Sequence, residues 1–263
     1  MNGRRAVVGL CMLCALLVSA FAAQSASAVG TTAYTCATTG TATGTKFSDA
    51  HCKTSNAAGE FRHVAIANGT STELTGSNET TGGAKSNTLL KATIAGSAFT
   101  LTSTTTSGSG TMTNSESGGE MIASGTGTIT YTGVTASGGC KVFTDDPVTG
   151  TKGEEGVIHT ETLKASTAGQ GDALKFEPNT GTVFARFILE GCTNTGINGT
   201  YTVTGSVKTT SIEGATSNFT HAGTTEQNTL KLNGTIKAGI EGVLTLKSRA
   251  NSGQSFTALS ATT

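Results

Sequence analysis

Threonine alternates with apolar residues in many short segments of this chain, and this alternation restricts the fold more than any other feature. Ile129 and Tyr131, for example, are each flanked on both sides by threonine. Successive side chains of a β-strand point to opposite faces of a sheet, so the pattern predicts strands with one buried face and one wet, threonine-covered face. Apolar residues do not follow a helical period over any long window, so we expect little or no helix outside the N-terminal segment.

The clearest predicted strands are short β-branched or alternating runs bounded by turn residues. They span residues 89–94, 98–102, 126–132, 157–163, 173–176, 183–190, 201–207 and 243–247. Asn-Gly pairs at 68–69, 198–199 and 233–234 favour two-residue hairpins, because both central residues of such turns adopt positive φ. We therefore predict an all-β fold: an antiparallel two-sheet β-sandwich or a flattened barrel.

The composition indicates a folded chain with a thin core. Threonine accounts for 53 of the 263 residues and glycine for 36, whereas proline occurs twice and tryptophan is absent. Leu, Ile, Val and Phe make up 41 of the 235 residues after position 28. That share is low, but disorder also requires a high net charge. Those 235 residues carry 15 Lys and Arg against 17 Asp and Glu, a formal charge of −2, which gives no basis for binding nucleic acid.

The first 28 residues have the features of a secretory signal peptide. Arg4 and Arg5 precede an apolar run at 6–23, and small residues at 26–28 form a cleavage site after Ala28. The apolar run is short and wrongly flanked for a permanent membrane span. We expect a secreted, extracellular protein without a membrane anchor, folded as a single β domain over residues 29–263.

Four cysteines remain after cleavage: Cys36, Cys52, Cys140 and Cys192. An even number in an exported chain predicts two disulfides, for which three connectivities exist. We predict Cys36–Cys52, because both lie in the loop-rich segment 29–58, and Cys140–Cys192, because each follows a glycine beside a predicted strand. The second bridge would join the two sides of a possible internal boundary at 145–155. No Cys-x-x-Cys pair is present, so the pattern does not favour zinc.

Catalytic motifs are absent from the sequence. It contains no Gly-x-Ser-x-Gly elbow, no His-Glu-x-x-His helix and no phosphate-binding loop. His159 and Glu161 are spaced to share one face of a strand, but on an exposed strand a solvated polar pair is the favoured interpretation. We expect neither an enzyme nor a bound cofactor.

The acidic stretch offers the one candidate cation site. Asp145, Asp146, Glu154 and Glu155 supply oxygens that suit Ca²⁺, but their spacing is not that of an EF-hand, and a solvated acidic loop is the favoured interpretation. A pair of carboxylates is also what a polysaccharide hydrolase requires, so that activity remains the enzymatic alternative.

The threonine-bearing faces are the candidate binding surface. The residues concerned are Thr126, Thr128, Thr130, Thr132, Thr200, Thr202 and Thr204. Flat arrays of threonine suit an ordered surface such as ice or a crystalline polysaccharide, although threonine is also a common exposed strand residue.

Segments 47–52, 173–178, 188–192 and 237–242 resemble a family of uncharacterised, exported Thr/Gly-rich proteins of high-GC Gram-positive soil bacteria. The resemblance covers most of the chain after position 28. It implies export and disulfide bonds, and it brings no known activity, ligand or catalytic residue. We expect a non-enzymatic protein that binds or coats an extracellular polymer or the cell envelope, with ice or crystalline-surface binding and a carboxylate-dependent polysaccharide hydrolase as the alternatives.

Overall fold

The computed structural model is built almost entirely of antiparallel β-strands, which confirms the all-β prediction. It describes residues 32–38, 44–79, 83–145, 152–170, 173–210, 212, 216–219, 229–249, 255 and 257–262. The predicted signal peptide, residues 1–28, lies outside these ranges. None of the described segments forms a helix with the length and hydropathy that crossing a bilayer requires. Two 3₁₀ turns, Ser137–Gly139 and Thr195–Ile197, interrupt the strands.

The strands follow one another in chain order. They are β1 (Thr32–Ala37), β2 (Lys46–Phe47), β3 (Phe61–Ala65), β4 (Thr72–Ser77), β5 (Thr88–Ile94), β6 (Ser97–Ser103), β7 (Thr105–Ser117), β8 (Glu120–Thr132), β9 (Thr135–Ala136), β10 (Lys141–Asp145), β11 (Lys152–Glu155), β12 (Val157–His159), β13 (Leu163–Ser166), β14 (Lys175–Pro178), β15 (Val183–Glu190), β16 (Gly199–Thr204), β17 (Val207–Lys208), β18 (Thr216–Phe219), β19 (Lys231–Leu232), β20 (Ile236–Ser248) and β21 (Thr257–Thr262).

A large, curled sheet forms the first layer. In it β20, β4, β7, β8, β13, β14 and β17 lie side by side, and β12 extends β13 along the edge of β8. A smaller sheet of β2, β3 and β1 joins this layer through β21. The second layer contains β11, β10, β15, β16 and β19, together with β5, β6 and β9.

Strand β20 connects the layers. Its first residues pair with β19, Ala238–Glu241 pair with β5, and Thr245–Ser248 pair with β4. Gly242 separates the last two pairings, and its φ of +155° and the absence of a side chain suit the corner between them. The arrangement fits a β-sandwich or a half-barrel.

The main hydrophobic core lies between the layers. Leu101 of β6, Tyr131 of β8, Phe184 of β15, Val203 of β16 and Ile240 of β20 surround one small cavity of about 50 Å³. Along β16 such residues alternate with outward polar ones, as the sequence pattern predicts. In β16, Val203 is 3 % exposed, whereas its neighbours Thr202 and Thr204 are half-buried.

Some predicted elements differ from the observed ones. The predicted strand 157–163 is broken, because Thr160 binds Ile129 of β8 through both its backbone N–H and its hydroxyl and leaves the ladder. Asn68-Gly69 forms a turn but not a hairpin, since β3 pairs with β1 and β4 pairs with β7. Asn198-Gly199 begins β16 instead of joining two paired strands.

Asn233-Gly234 does connect a hairpin, between β19 and β20, and both residues have positive φ. The segment 29–58, predicted to be loop-rich, contributes β1 and β2 to the small sheet. The possible boundary at 145–155 falls at the hairpin formed by β10 and β11.

Candidate functional site

Three neighbouring strands of the first layer, β4, β7 and β8, carry small hydroxyl residues at their outward positions. We call this surface the hydroxyl face. It consists of Thr75, Ser77, Ser107, Ser109, Thr111, Thr126, Thr128 and Thr130. The strands are in register, so these side chains stand beside one another across the sheet.

The hydroxyl face is a two-dimensional array. Thr75, Ser109 and Thr128 form one row across the three strands, and Ser77, Ser107 and Thr130 form the next. Neighbouring strands lie about 4.8 Å apart, and successive outward residues about 6.7 Å apart along a strand. Hydroxyl groups are therefore repeated at regular intervals in both directions.

Most of these hydroxyls are open to solvent. Ser107, Ser109, Thr111, Thr126 and Thr128 are exposed, and the other members are half-buried. Within the described ranges, the Thr130 hydroxyl is the only one of the eight that bonds to another protein group. The remaining hydroxyls are available to water or to a ligand.

Glycine occupies the inward positions beneath the array. Gly108 and Gly110 of β7 lie beside Gly125 and Gly127 of β8, and Gly76 of β4 continues the patch. A Cβ atom on Gly127 would overlap the Ser109 carbonyl oxygen and lie 2.9 Å from the Cα of Gly110. At Gly110, Gly125 and Gly127 the inner face is thus too tight for a side chain, whereas Gly108 has more room. This glycine patch suits the curl of the sheet, and the hydroxyl face lies on its outward side.

Charged residues border the array on two sides. Glu73, beside Thr111, pairs with Arg249 at 2.7 Å, and Lys164 lies opposite Thr126. The centre of the face carries no charge. The array therefore favours a neutral, hydroxylated partner over a polyion.

The second predicted threonine set lies elsewhere. Thr200, Thr202 and Thr204 are on β16 in the other layer, opposite Ile188, Arg186 and Val183. These mixed neighbours form no hydroxyl array. The predicted surface residues thus divide between two layers, and Thr132, opposite Thr105, stands at the end of the first set.

A polar groove adjoins the hydroxyl face where the chain passes from β11 to β12. Gly156, with φ of +74°, makes this corner, and its N–H donates to the Val142 carbonyl at 2.8 Å. The groove encloses about 390 Å³ and is lined by Thr144, Asp145, Gly153, Glu154, His159, Thr160, Glu161 and Arg186. We call it the corner groove. It meets the hydroxyl face at His159, whose Nδ1 lies 3.0 Å from the Thr130 hydroxyl.

Arg186 is the cation of the corner groove. Its Nε forms an ion pair with Glu161 Oε1 at 3.5 Å and makes no hydrogen bond among the described residues. His159 and Glu161, predicted as a possible pair, both line the groove, but their contacts in the structure are to Thr130 and Arg186 respectively.

The proposed calcium residues do not converge on one point. Asp145 and Glu154 line the corner groove, whereas Glu155 forms an ion pair with Lys141 at 3.3 Å. Asp146 lies outside the described residues. Within those residues, no three His, Cys, Asp or Glu side chains are placed to hold a metal ion.

The disulfides join Cys36 to Cys52 and Cys140 to Cys192, the same pairs that the sequence favours. Beside the first, the ring of His63 lies between Tyr34, at 5.5 Å, and Phe47, at 4.7 Å. Burial there lowers the pKa of His63, although a hydrogen bond with the Cys52 backbone opposes the shift.

His51, in the loop of the first disulfide, is positioned by Asp49. The Asp49 carboxylate accepts hydrogen bonds from the backbone N–H groups of His51, Lys53 and Thr54. Burial acts to raise the pKa of this carboxyl, but the three bonds outweigh it and lower the pKa below its ordinary value. Asp49 is therefore a structural residue of the loop.

Five of the eight residues of the hydroxyl face lie outside the predicted surface set: Thr75, Ser77, Ser107, Ser109 and Thr111. Residues 105–111, which alternate glycine with serine and threonine, were not predicted as a strand, because alternation of glycine with hydroxyl residues lacks an apolar face. The period of two was nevertheless present and marks Ser107, Ser109 and Thr111 as one face. Arg186 was missed because its groove partners come from distant segments.

Comparison of the chain with protein-family models, with curated proteins and with solved structures finds no match. The hydroxyl face and the corner groove are therefore the features from which a function can be inferred.

Proposed function

We propose that this protein is an exported, non-enzymatic protein that binds or coats an extracellular hydroxylated polymer through the hydroxyl face. The observation that carries the proposal is the in-register array of Ser and Thr hydroxyls on β4, β7 and β8. Each hydroxyl both donates and accepts a hydrogen bond, as does each hydroxyl of a polysaccharide. Many weak contacts at fixed spacing then add up on a repeating surface.

Export is supported by two observations on the chain and by the resemblance that its sequence suggests. The N-terminal segment has the pattern of a signal peptide. Two disulfides are typical of proteins folded in oxidising compartments. The resemblance to exported Thr/Gly-rich proteins of high-GC Gram-positive soil bacteria agrees with both. The polymer would then belong to the cell envelope or to the surroundings of the cell.

The test is depletion of the protein, residues 29–263, from solution by insoluble polymers. Peptidoglycan, chitin and cellulose are suitable, and ice-recrystallisation inhibition tests ice as an ordered surface. We expect the wild type to bind at least one of these surfaces. A Ser109→Ala, Thr126→Val, Thr128→Val variant should lose most of that binding, because three adjacent hydroxyls disappear while the strand-forming shape of valine is retained.

Thr93→Val is the matched control. Thr93 is an exposed strand threonine on β5, outside the hydroxyl face. Its substitution should leave binding unchanged. Binding by wild type that survives the triple substitution, or absence of binding to every surface, would refute the proposal.

A second candidate function, polysaccharide hydrolysis, has one observation in its favour. Asp145, Glu154 and Glu161 line the same groove, and glycosidases place two carboxyl groups on either side of the scissile bond. Release of reducing sugar by wild type, abolished in folded Asp145→Asn and Glu154→Gln variants, would support hydrolysis and replace the non-enzymatic proposal.

A further inference from the structure

We infer that the Cys36–Cys52 disulfide is a redox switch: its reduction releases the loop 48–60, while the rest of the fold stays intact. The loop connects β2 to β3, and the disulfide ties it to β1. Ala33 of β1 belongs to the main core, so Cys36, three positions along the strand, points to the opposite side of the small sheet. The loop therefore lies over the side that faces away from the main core.

The loop packs on a small hydrophobic cluster of its own. Phe47, Cys36 and Cys52 form this cluster, and Phe61 packs against it. The main core, over the described residues, contains none of these four side chains, whereas it contains both cysteines of the other disulfide. So few buried side chains offset little of the entropy that is lost when a loop of this length is ordered. The closed state of the loop therefore depends on its disulfide.

The loop can move as a unit, because its backbone hydrogen bonds lie mainly within it. The Ser48 N–H donates to the Thr54 carbonyl at 3.0 Å, and the Gly59 N–H donates to the Asn56 carbonyl at 2.8 Å. The pairing of β2 with β3 is short, since each strand contributes two residues to it. Release of the loop from β1 keeps the internal bonds and breaks few others.

Two features of the closed loop favour its release once the disulfide is broken. Cys52 has a φ of +52°, in the left-handed region that is costly for residues other than glycine. His63 forms a hydrogen bond with the Cys52 backbone, but its Nε2 is buried without a hydrogen-bond partner among the described residues. Opening the loop lets Cys52 relax and lets water donate to Nε2.

A dithiol supplies the electrons for the reduction. One of its thiolates attacks a sulfur of the disulfide and forms a mixed disulfide, and the other cysteine leaves as a thiolate that takes up a proton. The second thiol of the reagent then attacks its own sulfur in the mixed disulfide and frees the remaining cysteine. Two electrons and two protons pass to Cys36 and Cys52, and the dithiol becomes a cyclic disulfide.

The first test equilibrates the oxidised protein, residues 29–263, with mixtures of reduced and oxidised dithiothreitol. Alkylation with iodoacetamide and peptide mapping then show which cysteines are reduced. We expect Cys36 and Cys52 to be half reduced at a ratio of reduced to oxidised reagent at least about tenfold lower than Cys140 and Cys192, because the small cluster holds its two thiols together less firmly than the main core does. Equal ratios, or the reverse order, would refute the switch.

The second test measures how far the release spreads, by hydrogen exchange and mass spectrometry. In a Cys36→Ala, Cys52→Ala variant, amide exchange in the loop 48–60 should rise at least about tenfold, while β15 should exchange as in wild type. The matched control, Cys140→Ala with Cys192→Ala, should speed exchange in β15 as well. Unchanged exchange in the loop, or loss of protection in β15 of the first variant, would show that loop and core open together and would overturn the inference.

Discussion

Replacing Gly127 by alanine should destabilise the fold, although glycine is normally unfavourable in a strand. The new Cβ would overlap the Ser109 carbonyl oxygen and lie 2.9 Å from Gly110 Cα. Carbon atoms make favourable contact at about 3.5–4.0 Å, so β7 and β8 must separate by roughly 0.6–1 Å. Neither obstacle is a side chain that can rotate away. Overpacking of this kind costs about 1–3 kcal/mol, and we expect the upper half of that range.

Gly108→Ala is the matched comparison on the same inner face. Its Cβ would lie 3.3 Å from the nearest atom, the Thr128 carbonyl oxygen. The small crowding is offset by the lower entropy of the unfolded chain, which is worth about 0.4–1 kcal/mol. The net change should be within about 1 kcal/mol of zero.

Thermal and urea unfolding of the oxidised protein measures both variants. For a chain of this size each kcal/mol corresponds to about 2–4 °C, so Gly127→Ala should lower Tm by roughly 4–12 °C and Gly108→Ala by far less. Equal stability of the two variants would contradict the explanation of the curled sheet by its glycine patch.

Three further outcomes are expected. Val203→Ala should lower the free energy of unfolding by about 1–3 kcal/mol and Thr202→Val by less than about 1 kcal/mol, measured in urea; the reverse order would invert the faces assigned to β16. Removing the Cys140–Cys192 bridge by double alanine substitution should cost about 4 kcal/mol, because it closes a loop of 52 residues, and an unchanged Tm would contradict this. Burial lowers the pKa of His63, so this side chain binds a proton more tightly in the unfolded chain than in the folded one. The free energy of unfolding should therefore fall as the pH drops below about 6.5. His63→Phe should reduce this pH dependence.

The sequence pattern correctly predicted elements that depend only on residues close to them along the chain. Residues 185–190 alternate buried and partly exposed side chains after a bulge at 183–185, and β15 has the predicted bounds. Asn233-Gly234 forms the predicted hairpin because the strands on either side of it, β19 and β20, pair with each other. Asn68-Gly69 failed because the Gly69 N–H binds the Asn114 carbonyl, far along the chain, and sends the two flanking strands to different sheets.

In the candidate site, too, the features set within one strand were predictable, whereas those set by distant segments were not. The outward threonines of β8 were visible in the sequence, because alternation within one strand is enough to place them on one face. The array depends on the register of β7 against β8 and β4, which no single segment encodes. The corner groove combines β10, β11, β15 and the segment after β12, so Arg186 and Asp145 meet only in the folded chain.

The place of β20 in the fold bears on the order in which this chain can fold. β20 lies near the C-terminus, yet it supplies partners to β4, β5 and β19 in both layers. Pairing between segments so distant in sequence is slow, because loop closure must precede the contacts that reward it. A chain threaded outward from its N-terminus lacks the strand that unites the layers until about residue 248 has emerged. Under the proposed export, this order would delay folding until translocation is nearly finished, and the chain would stay extended during the crossing.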